Sequence, residues 1–112
     1  MRREEFQQHV QAALDRLPPE LARALDNVTV VVEDENPEDP DLFGLYLGVP
    51  LPERGTGYFG QLPDQIAIYR LPLEDEFPDR DELVEEIRIT VLHELAHYFG
   101  IDEDRLAELG YE

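Results

Sequence analysis

The run His93-Glu94-Leu95-Ala96-His97-Tyr98-Phe99-Gly100 contains two of the three histidines in this chain of 112 residues. Side chains four apart on an α-helix lie one above the other on a single face. Two imidazoles placed that way can grip one tetrahedral metal ion at about 2.0–2.1 Å, which is how zinc is held. Glu94 is turned by about 100° from His93 around the helix axis, yet it borders the same groove. There it can serve as a base toward a water activated by the metal, then hand the proton to a leaving amine. Residue types and spacing together point to zinc-assisted hydrolysis. A histidine that merely hydrogen-bonds on a core helix would account for either residue alone. It does not account for the pair, the carboxylate between them and the glycine behind.

Such a site takes a third protein ligand. The chain has no cysteine, so neither thiolate ligands nor disulfides are available and the donors must be histidine, carboxylate and water. His9 is the only other histidine; it falls in the first segment and reads as a surface or boundary residue. Asp102, Glu103 and Asp104 follow Gly100, a residue able to reverse the chain and let one of them swing back toward the metal. All three are candidates, and at least two must belong to a solvated acidic cap on the terminal helix.

The helix carrying the motif can be traced backwards. Leu83, Ile87 and Val91 continue an apolar stripe to Phe99, about five turns, with Asp79 and Glu82 spaced as an N-terminal cap and Gly100 as a left-handed stop. Phe6, Val10, Ala13, Leu14 and Leu17 predict an amphipathic first helix, ended by Pro18-Pro19, which opens a short second helix through Leu25. Val28–Val32 is β-branched throughout and predicts a buried strand. Leu42–Val49 reads as a strand interrupted by Gly44 and Gly48, and Gln65–Arg70 as a clearer one. Glu33–Asp41 and Leu71–Pro78 are acidic and proline-bearing and predict loops, residues 50–60 a flexible turn region, and Ile101–Leu109 a short terminal helix. The expectation is one α+β domain over residues 1–112.

Acidic residues number 27 against 9 basic ones, all of them arginine, for a formal net charge of −18. That field repels phosphate backbones and anionic lipid surfaces, so nucleic-acid and membrane-surface roles are excluded as expectations, while cations and basic peptide or protein segments are favoured. Glu4-Glu5 follow Arg2-Arg3 where a signal peptide would turn apolar, and the longest apolar stretch, Leu42–Leu51, is about half of the roughly 20 residues a membrane span needs. A soluble, cytoplasmic protein is expected. Neither acidic loop has the spacing of a calcium-binding EF-hand.

The motif resembles that of the small bacterial zincin-like metallopeptidases, or mini-zincins. The likeness extends to Val28–Glu35, Gly44–Leu51, Leu62-Pro63-Asp64 before a strand, and Arg105-Leu106 with Glu108–Tyr111. It implies a compact minimal zincin-like fold, with a small mixed β-sheet packed against the active-site helix and the N-terminal helices, and a zinc peptidase acting on short or locally unfolded peptides. The family pattern His-Glu-x-x-His-x-x-Gly-x-x-Asp implies zinc held by His93, His97 and Glu103, with Glu94 as the base. Here the last position is glutamate rather than aspartate, one methylene longer, which keeps Asp102 and Asp104 in contention.

Supporting roles are more weakly marked. Gln65–Tyr69 is a candidate to pair with a substrate backbone. Tyr98, Tyr69 and Arg70 carry donors that could help at an oxyanion, although packing or surface roles suit each better. Glu86 could orient a histidine, although a solvated position suits it better. A second functional class is a non-catalytic zinc-binding adaptor that docks a basic protein partner on the same scaffold. Glu94 separates the two readings, since a structural zinc site needs no base.

Overall fold

A computed structural model describes residues 1–23, 25, 28–48 and 64–108; the predicted turn region at 50–60 lies outside these. The elements run α1 (Arg3–Asp15), α2 (Pro19–Arg23), β1 (Val28–Glu33), β2 (Gly44–Leu47), β3 (Asp64–Tyr69), α3 (Arg70–Glu76), α4 (Arg80–Phe99) and α5 (Glu103–Glu108). This is an α+β arrangement with a small mixed sheet in the order β1-β3-β2. β3 runs parallel to β1, with Val28 opposite Asp64, and antiparallel to β2, with Gly44 opposite Ile68. Among the described residues no helix is long and apolar enough to cross a membrane.

α4 organises the molecule. Asp79 caps it by accepting from the Glu82 N–H at 3.2 Å, satisfying one of the donors that a helix start leaves unpaired. At the far end Gly100 takes φ 71° and ψ 31°, the left-handed conformation that glycine adopts without steric cost. Its N–H and that of Ile101 close onto the His97 and Ala96 carbonyls, at 3.1 and 3.0 Å. Between these stops Leu83, Ile87, Val91, Leu95 and Tyr98 are buried along one face, the helical period turned into packing. α1 lies against α4 and contributes Phe6, Val10 and Ala13 to the same core, which Ile66 and Ile68 of β3 complete.

Three expectations need correction. Val28–Val32 is not a buried strand: β1 sits at the sheet edge, and only Val32 within it is fully buried. β-branching fixed its conformation, while among the described residues it has a strand neighbour on one side, which leaves it half-covered. Residues 71–78 are not a loop throughout, because Arg70–Glu76 form α3. Pro72 falls in the first helical turn, where its missing N–H would have had no intrahelical partner anyway. Leu73 is fully buried and Arg70 pairs with Glu74 one turn on at 2.8 Å, so packing outweighed the acidic, proline-bearing composition. Finally, Gly44 does not interrupt β2 but begins it.

Candidate metal and hydrolytic site

His93 and His97 project from the exposed face of α4 with ring centroids 4.8 Å apart, tilted by 54°. Glu94, between them in sequence, is buried, only 6% exposed, and lines a cleft together with His93. Burial pushes its carboxyl above the ordinary 4.5; His97, His93 and the backbone N–H of Tyr46 oppose that rise without cancelling it. The motif thus combines two exposed imidazoles with a buried carboxylate on neighbouring faces of the helix.

β2 meets Glu94 from the sheet side. Phe43 accepts a hydrogen bond from the Tyr69 N–H at 2.8 Å, and with Gly44 opposite Ile68 the alternation of an antiparallel ladder turns the backbone groups of Gly44 and Tyr46 to the outer edge. From that edge the Tyr46 N–H holds the Glu94 carboxylate. Gly44 permits the approach, since a Cβ there would stand 3.0 Å from Thr90 Cγ2 and 3.1 Å from Glu94 Cγ. Thr90 is itself tied down, its hydroxyl donating to the Glu86 carbonyl at 2.8 Å.

Two clefts adjoin at His93. One, of about 280 Å³, is lined by Leu42, Phe43, Gly44, Glu86, Ile89, Thr90, His93 and Glu94. The other, of about 450 Å³, is lined by His93, Ala96, His97, Ile101, Asp102 and Asp104. Phe43 also lines a larger groove of about 920 Å³, together with the carboxylates of Glu35, Asp41, Glu74, Asp75 and Glu76 and the apolar Pro40, Leu71 and Pro72.

The candidate ligands are placed unevenly. Asp102 and Asp104 share a cleft with both imidazoles, and Asp102 also caps α5 by accepting the Arg105 N–H at 2.8 Å. Glu103 is the first residue of α5, and its side chain lies outside the described residues. Among the described residues, no three histidine, aspartate or glutamate side chains stand close enough to hold a metal ion. Two imidazoles on one exposed helix face, followed by three carboxylate residues after a chain reversal, nevertheless make a donor set of the kind that zinc takes. His9 lies elsewhere, on α1 beside Val84, Glu85 and Arg88, with Glu5 at 3.9 Å.

Other assignments resolve through packing. β3 is paired on both sides, so Gln65–Tyr69 has no edge to offer a peptide; among the sheet edges it is β2 that faces the motif. Tyr98 is buried against Tyr46 and Phe99. The Tyr69 hydroxyl accepts from Asn36 at 3.0 Å. Arg70 pairs with Glu74 and Asp34. Glu86 is half-buried on the cleft wall rather than solvated. The sequence alone assigns no site role to Gly44, Tyr46 or Asp64; only the glycine, inside an apolar run, carries a signal of close approach.

Residues 25–111 match a family model described as zincin-like metallopeptidase. Among solved structures, a conserved hypothetical protein from Thermus thermophilus is 27% identical, with a TM-score of 0.60 over 94% of this chain and 96% of that one. A search of curated proteins found no match.

Proposed function

The chain belongs to the zincin-like metallopeptidase family, and from that premise we propose that it hydrolyses peptide bonds, with Glu94 as general base and zinc held by His93, His97 and Glu103. When bound, zinc supplies Lewis-acid polarisation of a carbonyl and of a water molecule. The observation that carries the reading is the placement of Glu94. It is a buried carboxylate whose affinity for a proton is raised by that burial, on the same helix as two exposed imidazoles and hydrogen-bonded by the Tyr46 N–H. A base is most effective when its pKa approaches the working pH, and burial moves Glu94 in that direction. Its carboxylate takes the proton from the attacking water and delivers it to the leaving amine.

The outer edge of β2 offers backbone groups at Gly44 to an extended substrate running antiparallel or parallel to it. Leu42, Phe43 and Ile89, the last 39% exposed, give the cleft beside Glu94 an apolar lining for one substrate side chain. Beyond Phe43 the groove lined by Glu35, Asp41, Asp75 and Glu76 suits a basic stretch of the same peptide, since these carboxylates beside Pro40, Leu71 and Pro72 complement arginine and lysine. Basic or locally unfolded peptides are the proposed substrates.

Cleavage of a peptide library by zinc-loaded protein tests the reading. Activity should appear in the wild type and vanish in Glu94→Gln while zinc remains bound; equal activity in the two would overturn it.

A second reading, a non-catalytic zinc-binding adaptor that docks a basic partner in the acidic groove, draws support from the donor set. The two imidazoles stand together, and among the described residues no group of three possible ligands is assembled. On this reading the wild type binds zinc and a basic peptide tightly but returns the peptide intact.

A further inference from the structure

A second carboxylate, outside the motif, is buried where β3 begins. Asp64 opens β3 and is 2% exposed. A buried carboxylate is costly unless hydrogen-bonded, and the Tyr46 hydroxyl donates to its Oδ2 at 2.5 Å, a length typical of a hydroxyl on a carboxylate. Gly48 lies over the same group: a Cβ there would stand 2.4 Å from Asp64 Cγ. Asp64 therefore engages β2 and the residue that follows it at two points.

The same tyrosine reaches the motif helix. Its ring meets Tyr98 edge-on, centroids 5.9 Å apart at 77°, and its backbone N–H holds Glu94. Tyr46 thus joins a buried carboxylate at one end of the sheet to the base on α4. β2 is only four residues long, and among the described residues its strand partner is β3, so a further anchor matters to it. A hydrogen bond weakens steeply once its geometry is lost, and a displacement of about 1 Å at a reacting centre can cost on the order of a hundred-fold in rate.

We propose that Asp64 is a positioning residue for Glu94: by holding the Tyr46 hydroxyl it fixes β2 against α4, and with it the N–H that grips the Glu94 carboxylate. The inference rests on Glu94 being the base, and its test is built to fail separately from that reading.

Tyr46→Phe keeps the ring and the backbone N–H and removes only the hydroxyl. Hydrogen exchange at individual amides of the metal-free protein, followed by NMR, requires no substrate. The Tyr46 amide should exchange about ten-fold faster in Tyr46→Phe, and faster again in Glu94→Ala, with the amides of β3 and α4 unchanged. Asp64→Ala should match Tyr46→Phe, and the double variant should be no worse than either. If Asp64→Ala does not fold, Asp64→Asn, which keeps an acceptor oxygen, should restore most of the protection that a non-acceptor loses. With a cleaved peptide in hand, kcat should fall about ten-fold in Tyr46→Phe at unchanged KM. Unchanged exchange at Tyr46 overturns the proposal, as does acceleration spread evenly over the sheet, which would mean a purely structural role. A wild type that exchanges as described but cleaves nothing would count against the peptidase reading alone.

Discussion

Gly44 leaves Glu94 little room for a methyl group beside it: a Cβ on the glycine would stand 3.1 Å from Glu94 Cγ, 3.0 Å from Thr90 Cγ2 and 3.2 Å from the Ala67 carbonyl oxygen. Three neighbours crowd that point, one of them backbone, so the methyl cannot be relieved by a single rotamer change. Gly44→Ala should destabilise the protein by about 1–3 kcal/mol, the usual cost of overpacking, and push β2 off α4. Urea denaturation of the metal-free protein measures the first effect. Peptide turnover measures the second, which should fall by more than the loss of folded protein explains. Wild-type stability in this variant would show that the β2–α4 contact is softer than described.

Glu94 makes the fold sensitive to pH in a definite direction. Its carboxyl titrates above the ordinary 4.5 because it is buried. Between 4.5 and the raised value, the unfolded chain has already released this proton and the folded chain has not. Glu94 therefore contributes a fall in stability as pH rises through that window, and above it the charged form weighs against folding. Glu94→Gln removes the charge and keeps an oxygen for the Tyr46 N–H. At neutral pH the metal-free variant should melt at a higher temperature than the wild type, with the difference fading once the pH drops below the ordinary carboxylate value. Melting curves from about pH 4 to pH 8 decide this, and a variant less stable than the wild type at neutral pH would contradict it.

What could be read from the sequence was whatever a single helix encodes by itself. His93, Glu94 and His97 sit at fixed offsets on α4, and both stops of that helix, Asp79 and Gly100, are local signals that folded as expected. The sheet was harder. Which of three apolar strands lies in the centre depends on pairing between distant residues, so Gln65–Tyr69 looked like a substrate platform until β1 and β2 were seen on both its flanks. α3 was missed because its helicity comes from burying Leu73, a tertiary contact that composition does not carry. Asp64 is marked in the sequence only as the residue before a strand, and its burial beneath Gly48 depends on β2 folding back over it.

The third ligand is settled by a zinc titration. Wild-type protein should bind about one zinc per chain, as a three-ligand site would, and His97→Ala should abolish binding. Glu103→Ala should weaken it by far more than Asp104→Ala does. Asp102→Ala should act mainly on folding, since Asp102 accepts the Arg105 N–H at the start of α5. If Asp104→Ala costs zinc affinity and Glu103→Ala does not, the ligand assignment moves to Asp104, which lines the cleft with His93 and His97.

The acidic groove beyond Phe43 should act on binding and leave chemistry alone. Its carboxylates at Asp41, Asp75 and Glu76 are exposed and line the groove, so neutralising them removes attraction without opening the core. Glu74 is less suitable, because it pairs with Arg70 and with the N-terminal amine. For peptides with arginine or lysine on the groove side of the scissile bond, Asp41→Asn combined with Asp75→Asn and Glu76→Gln should raise KM several-fold and leave kcat near the wild-type value. Exposed charges are screened by salt over about 8–10 Å, so the wild type should lose the same preference as ionic strength rises, while a neutral peptide should be cleaved equally by both proteins at every salt concentration. A drop in kcat with KM unchanged would place these carboxylates in the chemistry instead. An unchanged KM for basic peptides would remove the groove from substrate recognition.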